Sequence, residues 1–231
     1  MPQPNLKILA YEPTSLGPLC LRRRELLSQP GTTVTEVTLN HEFLMSSLNT
    51  DSERALANTA LSMHSGNDLK VLVGGLGLGY TARESLLSQR VASVEVLELL
   101  PQVIQWLADG LVPLSAELNN EPRLIVTEDD VYQRLAGTPD EIFDLILIDV
   151  DHSPEDCLNN ESGSFYTRQG LLTAKKHLKA DGILAIWSYA ESSPFADALQ
   201  DVFPQVHIEP VMYHDESNDT QQTDWLFFAR G

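Results

Sequence analysis

Hydrophobic and polar positions alternate in two different ways along this chain. From residue 69 onward, short apolar runs take turns with segments whose apolar positions recur every three or four residues, the pattern of strands alternating with helices. Leu69–Val73, Val91–Glu98, Arg123–Thr127, Phe143–Ile148 and Ile183–Ser188 read as strands. Phe143–Ile148 is apolar nearly throughout, as a central parallel strand buried on both faces requires. Residues 80–88, the stretch from Pro101 through Leu107, the stretch from Thr167 to Leu178, and Pro194–Val202 read as helices. Val206–Tyr213 and Trp225–Ala229 read as a closing antiparallel hairpin, with the polar 214–224 connection expected to be mobile. The first part of the chain is different. Leu6–Glu12, Pro18–Arg24 and Val34–Leu39 read as three strands separated by Pro- and Gly-bearing turns. Thr50-Asp51-Ser52-Glu53 has the spacing of a capping box that opens a helix carrying Leu56, Ala60 and Leu61 on one face.

The pattern predicts a small N-terminal β element over residues 1–48, serving as a lid or dimerisation surface, followed by a Rossmann-like α/β domain over residues 49–231. The expected architecture is α/β: an open, doubly wound, mostly parallel seven-stranded sheet with an antiparallel last strand.

Composition narrows the function. The chain has 231 residues and a formal net charge of −18, almost all of it beyond residue 65. Phosphate binding needs a basic face, so no nucleic-acid partner is expected; an acidic domain suits a cationic or neutral small substrate. No apolar run is long enough to span a bilayer, and Met1-Pro2-Gln3-Pro4 is not a signal peptide. Cys20 and Cys157 lack metal-like or redox spacing, which fits free thiols and a cytoplasmic location.

Candidate chemistry gathers where strands end. Val71-Leu72-Val73-Gly74-Gly75-Leu76-Gly77-Leu78-Gly79-Tyr80 reads as a strand breaking into a glycine loop, with a helix behind it. Gly75, Gly77 and Gly79 allow a sharp turn and close approach to a ligand. The G-x-G-x-G spacing is not the G-x-G-x-x-G of dinucleotide folds, and no G-K-[ST] follows; a loop shaped for a nucleoside remains. Glu98 ends the next strand nineteen residues beyond Gly79, the place of a ribose-binding carboxylate. Among the acids 128–130 that follow the third strand, Asp130 is preferred over Asp129 as a partner for an adenine amino group. The buried strand delivers Asp149, Asp151 and His152 to the carboxyl edge of the sheet, where an open α/β fold places its ligands. Either an Asp149–Asp151 carboxylate pair or a neutral His152 is suited to take a proton from an acceptor. Arg22-Arg23-Arg24 reads either as an anion contact or as a charged edge that discourages strand pairing.

Leu72–Glu84, Val94–Glu98, Glu128–Leu135, Phe143–Asp149, the Phe165-Tyr166-Thr167 helix start, Lys179-Ala180-Asp181-Gly182 and Trp225–Arg230 resemble the polyamine aminopropyltransferases, the spermidine synthases. Arg83-Glu84 after the glycine loop is the most telling pair. The resemblance implies a class I S-adenosylmethionine-dependent methyltransferase-type fold, a homodimer, and aminopropyl transfer from decarboxylated S-adenosylmethionine to an amine. It implies that Gly75, Gly77 and Gly79 approach the nucleoside, Glu98 holds the ribose and Asp130 meets the adenine. Three positions depart from the family pattern. Leu78 stands where the family carries an acid for the aminopropyl amine, His152 where it carries the amine-activating acid, and Ser52-Glu53-Arg54 where it carries a Tyr-His pair. Ile148-Asp149-Val150-Asp151-His152-Ser153-Pro154-Glu155 is also similar to a stretch of small-molecule O-methyltransferases, in some of which the Asp binds a divalent cation. Trp187-Ser188-Tyr189-Ala190 supplies no further acid pair, so no metal is expected. The donor is therefore S-adenosylmethionine or its decarboxylated form, and the acceptor a small molecule, an amine by the resemblance. A small-molecule methyltransferase and a non-catalytic nucleoside-binding protein stay open beside it.

Overall fold

A strand with no wet face must lie inside a sheet covered on both sides, and all six residues of Phe143–Ile148 are buried. The computed structural model, which describes residues 6–158, 162–215 and 220–231, places this strand at the centre of a seven-stranded sheet.

Four strands come first: β1 (Leu6–Thr14), β2 (Gly17–Glu25), β3 (Thr33–Leu39) and β4 (Glu42–Ser46), an antiparallel sheet in chain order. The rest runs α1 (Asp51–Met63), β5 (Leu69–Gly74), α2 (Tyr80–Leu87), β6 (Val91–Glu98), α3 (Pro101–Ala108), α4 (Ser115–Leu118), β7 (Leu124–Glu128), α5 (Val131–Ala136) and β8 (Phe143–Ile148). It ends with α6 (Arg168–Ala174), β9 (Leu178–Ser188), α7 (Ser193–Gln200), β10 (Gln205–Asp215) and β11 (Thr220–Arg230). The large sheet has the order β10-β11-β9-β8-β5-β6-β7. Its members β5 to β9 pair in parallel, while β11 is antiparallel to both β9 and β10. Strand order reverses at β5, flanked by β6 and β8, and a ligand crevice opens at such a switch point.

Alternation along β5 divides the core. Val71 and Val73 pack with Leu56, Ala82 and Trp106 on one face, and Leu72 packs with Leu135, Leu171 and Leu199 on the other. The N-terminal sheet joins the first of these layers through Leu19, Leu21, Val37 and Leu39. Trp106 Nε1 donates to Glu12 Oε1 at 2.8 Å and Arg23 to the Leu111 carbonyl at 2.8 Å, tying β1 and β2 to the α3 region.

Four local expectations are corrected. The N-terminal element has a fourth strand, β4, joined to β3 by a two-residue turn in which Asn40 (φ 51°) and His41 (φ 70°) are both left-handed. Asn-Gly would have announced that turn; His at its second position does not. Thr50 makes no side-chain cap on α1, so there is no capping box, and the Glu53 side chain lies against Ser52 instead. The strand expected from Ile183 starts earlier, at Leu178, but its register with β8 jumps from the Phe143–Leu178 pair to the Leu145–Ile183 pair, so Asp181-Gly182 falls in the irregular stretch between them. The 214–224 connection is mostly strand: β10 and β11 pair out to Asp215 and Thr220, and only residues 216–219 lie outside the described residues.

Candidate functional site

The loop after β5 owes its shape to three glycines in the left-handed region: Gly75 (φ 91°), Gly77 (φ 52°) and Gly79 (φ 92°). At Gly75 a Cβ would stand 2.2 Å from the Asp149 carbonyl oxygen, so the ends of β5 and β8 approach closely only because this residue has no side chain. Glu98, at the end of β6, pins the loop from the other side. Its Oε2 accepts from the Leu76 N–H and its Oε1 from the Leu100 N–H, each at 2.9 Å. Burial raises the Glu98 pKa, and these backbone bonds oppose the shift.

The acids after β7 are similarly anchored. Asp130 caps α5, its Oδ1 accepting from the Tyr132 and Gln133 N–H groups at 2.8 and 3.2 Å. Asp129 accepts from the Asp130 N–H and from Arg134, whose guanidinium lies 2.8 Å away.

Beyond β8 the two aspartates part. Asp151 is buried, and its carboxylate accepts from the Tyr132 hydroxyl (2.7 Å), the Tyr166 hydroxyl (3.0 Å) and the Leu158 N–H (2.7 Å). This network fixes the loop that follows β8. Burial pushes both tyrosine pKa values well up, and the neighbouring Asp151 charge adds to it. Asp149 is held by one side-chain hydrogen bond, from the Thr81 hydroxyl at the start of α2 to Oδ2 at 2.7 Å. Half-exposed His152 lies with Nδ1 3.8 Å from Asp156 Oδ2 and its ring edge-on to Tyr189.

Facing Asp149 are two acids that the sequence pattern did not single out. Glu53 comes from the first turn of α1 and Asp224 from the end of β11 that extends past β9. Ser52 links them: its Oγ is 2.6 Å from Asp224 Oδ2, 3.2 Å from Glu53 Oε2 and 3.0 Å from Trp187 Nε1. A hydroxyl has one proton, and the shorter distance assigns it to Asp224. The serine oxygen then accepts from Trp187 and from a protonated Glu53. The charge balance agrees. Burial and then the Asp149 charge push Glu53 up to about 8. Burial, aided by Asp224 and opposed by the Thr81 hydrogen bond, raises Asp149 to about 6. Asp224 is also raised by burial, against hydrogen bonds from Ser52, Trp187 and Tyr213. At neutral pH the cluster therefore holds at least one proton and still presents negative charge to the cavity.

Two adjoining cavities share these walls. The larger, about 550 Å³, contains the three acids together with Leu78, Trp187 and Tyr213. The smaller, about 90 Å³, lies beside Gly75, Glu98, Asp129 and Asp130. Leu44, Met45, Gly77, Asp149 and Val150 border both. Each site residue singled out in the sequence lines one cavity or the other: Gly79, Asp151 and His152 the larger, Gly75, Glu98, Asp129 and Asp130 the smaller, Gly77 and Asp149 both. Acids flanked by Trp187, Tyr189 and Tyr213 make a setting for a cation, through charge and through the negative faces of the rings. Among the described residues no three His, Cys, Asp or Glu side chains are arranged to hold a metal ion, and no helix is long and apolar enough to cross a membrane.

No family model matches the chain. In sequence it is 31% identical over 140 residues to the polyamine aminopropyltransferase of Prochlorococcus marinus strain MIT 9312, and 29% identical over 138 residues to that of strain MIT 9215. Each match covers 60% of this chain and 47% of the relative, so the similarity spans about half the length of these curated proteins. In structure it is similar to a spermidine synthase solved with the transition-state analogue AdoDATO (TM-score 0.75, 18% identity, 97% of this chain and 73% of that one). The spermidine synthase of Thermotoga maritima is comparably similar (TM-score 0.74, 16% identity, 97% and 72%). The chain thus has the fold of these spermidine synthases, and over 140 residues its sequence is similar to that of polyamine aminopropyltransferases.

Proposed function

We propose that this protein is a transferase that moves an alkyl group from an S-adenosylmethionine-type sulfonium donor to a small cationic amine. The observation that carries the reading is the Glu53–Asp149–Asp224 cluster, which presents negative charge and a proton acceptor beside the glycine loop. The relatives' printed names, aminopropyltransferase and spermidine synthase, favour aminopropyl as the group moved. Donor nucleoside occupies the side of Gly75, Gly77, Glu98, Asp129 and Asp130, where Leu44 and Met45 of β4 must shift to admit it. Residues 1–48 act as the cover of this site, and residues 49–231 as the transferase domain.

The donor sulfonium is already a good leaving group, so the protein chiefly aligns the reactants and removes a proton. Ionised Asp149 takes the proton from the acceptor ammonium. The freed nitrogen lone pair forms the new C–N bond, the carbon–sulfur bond breaks, and sulfur leaves with that electron pair as a neutral thioether. Glu53 and Asp224 hold the ammonium end by charge. Asp151 supports the loop that carries Asp149, and His152 lies on the path of the incoming acceptor.

A methyl-transfer reading rests on Leu78, a buried apolar side chain in the large cavity at the place where the resembled family has an acid. Assays with decarboxylated S-adenosylmethionine and with S-adenosylmethionine, each with putrescine, separate the cases. Methylthioadenosine as product supports aminopropyl transfer, and S-adenosylhomocysteine supports methyl transfer. Absence of both products across an amine panel, with methylthioadenosine still binding, would leave a nucleoside-binding protein. We also place the chain in the cytoplasm, as free Cys20 and Cys157 suggest, and as a homodimer, which size-exclusion chromatography with light scattering tests.

A further inference from the structure

We infer that the large cavity recognises a carboxylate as well as an ammonium, through Arg24. This rests on the proposed transferase reading and specifies the ligand of that site.

The acidic cavity has one Lys or Arg among its described lining residues, Arg24. Its setting is built rather than incidental. Arg22 and Arg24 alternate along β2, so both project to one face of the N-terminal sheet, the face that also carries Glu36 of β3. Glu36 is 3% exposed, and both its oxygens are engaged: Oε2 by Arg22 Nε at 2.9 Å and Oε1 by Arg24 Nε at 2.6 Å. Arg23, on the opposite face, is committed to the Leu111 carbonyl. Two guanidinium groups against one carboxylate leave a net charge of +1 where the sheet meets the cavity. A carboxylate buried between two arginines orients both, and Arg24 is the one that reaches the cavity wall.

The cavity is therefore dipolar. The Glu53, Asp149 and Asp224 side is anionic, and the β2–β3 side carries a surplus cation. A simple diamine has no group for the second side. A molecule with an α-amino-acid end has one. Two sources supply such a carboxylate: the methionine moiety of an intact S-adenosylmethionine donor, or an amino-acid acceptor. Leu78, which lines the same cavity, places no charge there against either.

The test uses the full chain and compares ligands that differ by this one group. Titration calorimetry compares S-adenosylmethionine with its decarboxylated form, and steady-state assays compare ornithine with putrescine as acceptors. We expect a preference of about tenfold or more for the carboxylate-bearing member of one pair, the size of a lost charge-assisted hydrogen bond. In Arg24→Gln that preference should fall to within about twofold, and in Arg24→Lys, which keeps the charge but not the fork, it should be intermediate. Which pair responds identifies the source. Methylthioadenosine, which has no carboxylate, reports folding and the nucleoside side, and its affinity should match wild type in both variants. Equal treatment of both members in each pair by wild type overturns the inference, as does a preference that survives Arg24→Gln. Failure of wild type to bind methylthioadenosine would take down the nucleoside reading beneath it as well.

Discussion

In the smaller cavity Glu98, Asp129 and Asp130 each accept from at least one backbone N–H, whereas in the larger one Asp149 and Asp224 meet the hydroxyls of Thr81 and Ser52, Glu53 adds Ser52 to a backbone bond, and the three feel one another's charge. Backbone amides are fixed by the sheet and its loops, so acids bound to them stay where the fold puts them, whether or not a ligand is present. Hydroxyls can reverse their role as donor and acceptor, and neighbouring carboxylates compete for protons. One compartment is built for shape and the other for moving charge.

The most damaging way to probe this contrast is Asp149→Asn. It removes the proton acceptor while keeping the side chain's size, and turnover should fall by roughly 10²-fold or more with methylthioadenosine affinity unchanged. A loss below tenfold would mean that Asp149 is as structural as the acids opposite. The reverse pattern belongs to Glu98→Ala. Freeing the Leu76 and Leu100 amides should loosen the glycine loop and weaken methylthioadenosine binding by about 1–3 kcal/mol in calorimetry. Normal affinity in this variant would remove the loop-locking role.

Asp151→Asn tests the assignment of Asp151 to support. Replacing the acceptor of two tyrosine hydroxyls should cost about 1–2 kcal/mol in urea unfolding and less than tenfold in turnover. A turnover loss equal to that of Asp149→Asn would make Asp151 part of the proton path. The smallest effect is thermodynamic. Glu53 shifts from 4.5 to about 8 and Asp149 from 3.8 to about 6, both upward on folding. The folded chain thus keeps protons that the unfolded chain has released. This opposes folding increasingly as pH rises through that window, and has no effect below about pH 4. Glu53→Gln removes its share, so its Tm should change less than that of wild type between pH 5 and pH 8. It should exceed wild type by a few degrees at pH 8. Parallel Tm–pH curves for the two proteins would place Glu53 outside the coupled cluster.

What local pattern alone determined is the half of the site that follows from strand ends. A glycine loop after an apolar strand, an acid closing the next strand and an acid opening a short helix are each written within about ten residues, because backbone geometry there depends on neighbours in sequence. Gly75, Glu98 and Asp130 were legible for that reason, as were the parallel strands and the antiparallel hairpin. Four features were decided only by tertiary contact. Glu53 sits at capping-box spacing, yet its side chain turns to Ser52 because Asp224, 172 residues away from that serine, completes the bond there. Asp224 read as part of a polar connection, since nothing nearby marks the end of β11 that runs past β9 to the cavity. Asp151 lies two residues from Asp149, a spacing that would put both on one face of a continued strand, but β8 ends at Ile148 and the chain bends at 151, so that Tyr132 and Tyr166 converge on Asp151 alone. Arg24 looked like one charge in a run of three until pairing with β3 set it beside Glu36. Sequence records which side chains a strand can offer to each face, but only the assembled sheets decide which charges meet.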